Sequence, residues 1–259
     1  PWEWHYKLFE FAKELGLIVF STPFDKTAVD FLEELNTPCY KVASFEITDI
    51  PLIEYIASKG KPVIISTGIA TLSDIELALQ TCKSLGNQQV ILLKCVSEYP
   101  TPFEDANLRT IPNMKETFKV PVGLSDHTLG ISVPIAAVAL GAVLVEKHFI
   151  LDRSMGGPDS AFSLEPDEFK AMVKAIREVE KALGQVSYQL TERQEEMRKF
   201  ARSLFAVKDI KAGEVINEEN IRSVRPGYGL HPKHLKDVLG KRARVDIPKG
   251  TPLKWEFLE

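Results

Sequence analysis

Lys61-Pro-Val-Ile-Ile-Ser-Thr-Gly68 runs into Thr71-Leu-Ser-Asp74 and then into Ile75, Ala78, Leu79 and Cys82. The first piece is a short apolar run with β-branched residues, closed by hydroxyls, which suits a strand buried on both faces. Thr71 with Asp74 resembles a capping box, and the apolar residues that follow share one helical face. The stretch therefore predicts one β-strand followed by one α-helix.

The same unit repeats on both sides. Apolar runs recur at Leu17–Phe20, Cys39–Ala43, Val90–Cys95, Val120–Leu124 and Ala142–Phe149. Their starts lie roughly 25 residues apart, the rhythm of strands joined by helical crossovers. Ala28, Phe31, Leu32 and Leu35 predict a second helix. A third and longer one starts at Pro166 with Asp167 and Glu168 in its first turn. Its stripe is Phe169, Met172, Val173, Ile176, Val179 and Leu183, and Gly184 stops it. The class is α/β with six expected strands. Six strands fit either an open sheet or a (β/α)8 barrel whose first two βα units are absent, a whole barrel taking about 250 residues.

Beyond residue 199 the pattern turns to short strands and turns. Asp209-Ile-Lys-Ala-Gly213 is echoed by Asp246-Ile-Pro-Lys-Gly250, which predicts two similar turns between strands. A charged segment from Thr191 reads as a linker helix. The expected layout is a first domain at 1–190, a linker at 191–198 and a small β-rich domain at 199–259.

Composition narrows the function classes. With 44% hydrophobic and 26% charged residues in 259, the chain is globular rather than disordered or collagen-like. A net charge of -4 without a basic block argues against nucleic acid as the main partner. Cys39, Cys82 and Cys95 are an odd number with no CxxC pair, so a reducing compartment, the cytoplasm, is expected. The uncharged stretch Thr128 to Val145 contains Gly130, Pro134 and Gly141. It reads as a buried helix and strand rather than a membrane span.

Ligands of parallel α/β folds bind at the carboxyl ends of the strands. Those ends carry Ser21-Thr22, Lys41 with Ser44 and Glu46, Ser66-Thr67, Ser97 with Tyr99, Ser125 with His127, and Glu146 with His148. Recurrent hydroxyls beside one lysine suit a phosphate or carboxylate ligand. His127 and His148 close neighbouring strands, and two imidazoles can hold a divalent cation with positions left open for substrate. Structural hydrogen bonding is the ordinary role of two such histidines taken alone. Cys95, near another strand end, reads as a small buried hydrophobe.

Together these motifs resemble the sialic acid synthase family. The matching stretches are Phe20-Ser-Thr-Pro-Phe, Tyr40-Lys-Val-Ala-Ser-Phe-Glu, Lys61-Pro-Val-Ile-Ile-Ser-Thr-Gly, Tyr99-Pro-Thr-Pro, Gly123-Leu-Ser-Asp-His-Thr, Glu146-Lys-His-Phe and Gly157-Pro-Asp. Arg225-Pro-Gly-Tyr-Gly resembles the motif of the family's small antifreeze-like (SAF) domain. Pro1-Trp-Glu-Trp-His, Ser97 and Gly156-Gly-Pro-Asp-Ser-Ala-Phe-Ser are most similar to the pseudaminic acid branch.

The resemblance implies a TIM barrel lacking its first two βα units in this chain, followed by a β-clip SAF domain. It also implies condensation of phosphoenolpyruvate with an open-chain acetamido sugar and release of phosphate. In the pseudaminic acid branch that sugar is 2,4-diacetamido-2,4,6-trideoxy-altrose. Thr22, Lys41, Ser44, Ser66 and Ser125 would hold phosphoenolpyruvate. Glu46, Tyr99 and Asp159 would face the sugar, and Ser97 belongs to the same binding set. His127 and His148 would hold Mn2+ or Mg2+, and Arg225 would reach over the site of a partner in a domain-swapped homodimer. The family's first two strands supply a catalytic Glu and a sugar-contacting Gln, and both are expected to be missing here.

Other activities remain open at this point. A sibling synthase would use an N-acetylmannosamine-type or legionaminate-precursor sugar. A pyruvate aldolase would form a Schiff base on Lys41. A non-catalytic carbohydrate-binding protein would need neither histidine.

Overall fold

Five of the apolar runs form a parallel sheet in a computed structural model that describes all 259 residues. The strands are β1 (Tyr40–Val42), β2 (Val63–Ser66), β3 (Val90–Cys95), β4 (Val122–Asp126) and β5 (Val145–Lys147). They are ordered as in the chain, each hydrogen-bonded to the next. Tyr40 lies opposite Val63, Val63 opposite Val90, Leu92 opposite Val122, and Leu124 opposite Val145. Strands this apolar are stable only when both faces are covered, and the residues of β1, β2 and β4 are all buried.

Helices supply that cover. α1 (Glu3–Glu14) and α2 (Lys26–Glu34) precede β1, and α3 (Ile50–Ala57), α4 (Leu72–Ser84), α5 (Thr110–Phe118) and α6 (Ser132–Ala139) alternate with the strands. α7 (Pro166–Leu183) follows and packs on α6. Three of the starts have a local cause. Asp25 accepts the Ala28 amide at 2.8 Å, Asp49 accepts that of Leu52 at 3.1 Å, and Thr71 with Asp74 closes a reciprocal capping box. Val29, Leu32, Ile53, Ile56, Ile75, Ala78 and Ile111 then meet the strands in one core.

Two expectations shift. Leu17–Phe20 joins no ladder; Leu17 and Ile18 are exposed and Val19 touches the core without backbone pairing. An apolar run becomes a strand only where a neighbour accepts its hydrogen bonds. On α7 only Met172 is buried, while Val173 and Leu183 stand in solvent. Thr128 to Val145, by contrast, does divide into α6 and the start of β5, and no helix is long and apolar enough to cross a membrane.

The chain divides into two compact units, Pro1–Gly184 and Gln185–Glu259, a few residues ahead of the boundary expected at 190. The second begins with α8 (Glu192–Met197), inside the expected linker, and has its own core around Leu204, Ile216, Ile221 and Leu253. Its strands β6 (Ser203–Ala206) and β7 (Ile221–Val224) pair antiparallel.

The two echoed turns of this unit bind each other. Ile210 and Ile247 exchange backbone bonds at 2.9 and 2.8 Å. Asp209 accepts the Lys249 amide at 2.7 Å, and Asp246 accepts the Ala212 amide at 2.9 Å. Gly213 and Gly250, at φ +83° and +87°, turn the chain at the equivalent point of each copy, where a side chain would be strained.

Candidate active site

The strand ends of the first unit surround a cavity of about 380 Å³. Lys41, in the middle of β1, extends into it with its side chain only 7% exposed. Its Nζ donates to the Val42 carbonyl at 3.2 Å and stands 3.5 Å from Glu146 Oε2, on β5. The other oxygen of Glu146 accepts the Ser125 hydroxyl at 2.6 Å. Ser66, at the end of β2, buries a hydroxyl that has no partner in the protein. An unpaired buried hydroxyl costs about 1–3 kcal/mol, so its presence beside a lysine marks a place for a ligand oxygen.

A second hydroxyl pair lies alongside. Ser97 donates to Ser44 Oγ at 2.8 Å, and Ser44 Oγ also accepts the Ile69 amide at 2.9 Å. Gly68 makes this possible. A Cβ there would lie 2.8 Å from Ser44 Oγ, 2.9 Å from Cys95 Sγ and closer still to Ser97 Oγ. The motif Ser66-Thr67-Gly68 thus supplies both an anion-seeking hydroxyl and the space that admits its neighbours.

The opposite wall is aromatic. The rings of His127 and His148 are 5.2 Å apart between centroids; Tyr99 lies 4.2 Å from His127, and Phe162 lies 5.0 Å from His148. The Val96 carbonyl, 2.8 Å from His127 Nδ1, can only accept, so Nδ1 carries the proton and Nε2 keeps its lone pair. Burial holds His127 below the usual histidine range and nearby His148 adds to this, with the Val96 carbonyl opposing. Asp159 Oδ2 lies 3.6 Å from His148 Nδ1. Two imidazoles this close are suitable donors for a divalent cation. No set of three or more His, Cys, Asp or Glu side chains is arranged to hold one, so water or substrate would complete its coordination.

Of the residues named from sequence, Thr22, Lys41, Ser44, Ser66, Tyr99, Ser125, His127 and His148 line the cavity together. Ser97 and Asp159 are not in the lining itself but touch residues that are, Ser44 and His148. Glu46 ends a single turn, Ser44–Glu46, with one carboxylate oxygen buried and unpaired. Arg225 follows β7 in the second unit. Sequence reasoning set Glu146 beside the histidines but missed its contact with Lys41, because the two lie on the first and last strands of the sheet. It also missed that Cys95 lines the cavity, its thiol pushed up by burial.

Residues 1–188 match the NeuB family and residues 201–259 match the SAF domain. The chain belongs to the NeuB family. It is 50% identical to the pseudaminic acid synthase of Campylobacter jejuni strain 81-176 over 98% of its own length and 74% of that relative. Against the pseudaminic acid synthase of Helicobacter pylori the identity is 48%, covering 100% of this chain and 76% of the relative. The crystal structure of the spore coat polysaccharide biosynthesis protein spsE of Bacillus subtilis superimposes with a TM-score of 0.69 at 37% identity. That match covers 100% of this chain and 78% of the other. The parallel sheet and small antiparallel sheet of this NeuB-family chain are therefore those expected from its motifs.

Proposed function

We propose that this NeuB-family chain serves a pseudaminic acid synthase, joining phosphoenolpyruvate to 2,4-diacetamido-2,4,6-trideoxy-altrose and releasing phosphate. The carrying observation is the cavity itself, where Lys41 and the unpaired Ser66 hydroxyl stand across from two imidazoles. Identity near 50% to two pseudaminic acid synthases over nearly the whole chain supports the choice of sugar.

In this reading Lys41, Ser66 and Ser125 bind the anionic oxygens of phosphoenolpyruvate, with Thr22, Ser44 and Ser97 beside them. The lysine supplies charge and the hydroxyls supply direction. Tyr99, Asp159 and Glu46 face the sugar. A divalent cation, Mn2+ or Mg2+, held by His127 and His148 supplies Lewis acidity toward the aldehyde oxygen. C3 of phosphoenolpyruvate forms the new bond to the aldehyde carbon, water adds at C2, and the C2–O bond to phosphate breaks. Glu146, the carboxylate lining the cavity, is placed to orient that water through its exposed edge while Lys41 holds the phosphate. Arg225 completes the site of a second copy in a homodimer. The cytoplasm suits the three unpaired cysteines.

The test is phosphate release by the intact protein. Phosphoenolpyruvate with the diacetamido sugar should release phosphate, EDTA should abolish it, and manganese should restore it. Indifference to chelation would remove the histidine pair from the reaction. A borohydride-trapped pyruvyl adduct on Lys41 would replace the synthase reading with an aldolase.

A further inference from the structure

Asp126 and Lys147 lie directly opposite each other in the ladder between β4 and β5, both side chains 1% exposed. Lys147 Nζ donates to Asp126 Oδ2 at 2.6 Å and to the Thr128 carbonyl at 2.5 Å. Asp126 in turn accepts the Thr128 amide at 3.1 Å and its hydroxyl at 3.2 Å. Neither residue has a part in the reaction proposed above.

Their places in the chain show what they control. Asp126 sits between Ser125 and His127, and Lys147 between Glu146 and His148. Side chains alternate across a strand, so the two flanking pairs share the cavity face. Lys147 also borders the cavity, but its side chain is 1% exposed and turns with that of Asp126 to the opposite face. Burying two charges carries a desolvation cost, and a well-packed apolar pair of the same volume would often hold two strands as well or better. An ion pair adds direction. This one grips the amide, carbonyl and hydroxyl of Thr128, so the turn that carries His127 is held to the strand that carries His148.

We infer that Asp126 and Lys147 are a positioning pair that fixes the mutual aim of His127 and His148. The inference rests on the histidines acting as ligands, but the pair's effect on the two rings is readable without any metal.

The experiment compares the intact wild-type protein with the apolar double variant Asp126→Leu/Lys147→Met, matched in side-chain branching, metal-free, by thermal unfolding and by proton–nitrogen spectra of the imidazoles. The double variant should fold cooperatively but unfold at a lower temperature, because the buried amide, carbonyl and hydroxyl of Thr128 lose their partners. The His127 Nδ1 proton, held by the Val96 carbonyl in the wild type, should exchange with water, and the His148 ring signals should move. Added Mn2+ should bind about 10–100-fold more weakly, the usual effect of losing an outer partner of a metal ligand. Phosphoenolpyruvate affinity should be retained. A folded double variant with unchanged imidazole signals would overturn the inference and leave the pair a packing element. If the double variant does not fold, Asp126→Asn, which keeps the shape and removes the charge, is judged by the same spectra. A wild-type protein that takes up no Mn2+ would count against the metal part of the proposed function, while the spectra still decide the positioning.

Discussion

Lys41 and Glu146 stand on the first and last strands of a five-stranded sheet, yet their side chains meet at 3.5 Å. Strands that neighbour only their sequence neighbours can bring their edges this close only if the sheet curls, so this ion pair joins two edges of the cavity lining.

The pair sets two substitutions against each other. Lys41→Met removes a charge-assisted contact, costing about 1.5–3 kcal/mol, so KM for phosphoenolpyruvate should rise about 10–100-fold. Glu146→Gln keeps an acceptor for the Ser125 hydroxyl and removes a negative charge facing an anion. It should lower kcat without raising that KM. Steady-state kinetics at saturating sugar decide this, and parallel changes in KM would count against the assignment.

Gly68→Ala should be disproportionately harmful for one methyl group. Its Cβ would press on Ser44, Cys95 and Ser97 at once. Overpacking of this kind costs roughly 1–3 kcal/mol. A lower Tm together with weakened phosphoenolpyruvate binding is expected, measured by calorimetry on the same sample.

His127 should titrate below the ordinary 6.5 in the metal-free protein, because burial disfavours its charged form. The sign for stability follows. Above pH 6.5 the ring is neutral in folded and unfolded chains alike. As the pH falls below that value the unfolded chain binds the proton first, so stability declines toward the lowered pKa. An imidazole titration with its midpoint at or above 6.5 would contradict this.

At phosphoenolpyruvate well below the raised KM, Arg225→Ala and Lys41→Met should each be poorly active, while their mixture recovers activity if Arg225 serves a second copy. Statistical exchange in a homodimer leaves about a quarter of the sites with both residues. Phosphate release after refolding the two variants together measures it, and no recovery would place the arginine's action within one chain.

Much of this was legible in the sequence because short β-branched runs and capping residues act locally. Val63 to Ser66 and Thr71 to Asp74 carry their whole signal within a few positions, and their strand and capping box form where expected. Leu17–Phe20 misled because strand formation depends on a partner elsewhere in the chain. The candidate site was half legible. Hydroxyls and histidines at strand ends could be counted, but the contact of Lys41 with Glu146 depends on curvature that no local pattern encodes. Asp126 and Lys147 could have been noticed, since two opposite charges alternate with site residues on neighbouring strands and so fall on the buried face.

The echoed turns of the second unit bear on how that unit folds. Asp209 and Lys249 are 40 residues apart in the chain, and each turn is held by amides of the other. Neither copy can close on its own, so the entropy of joining distant segments is spent before either gains its bonds. The small unit should therefore appear in one cooperative step, slower than its size suggests, with no half-formed clip along the way.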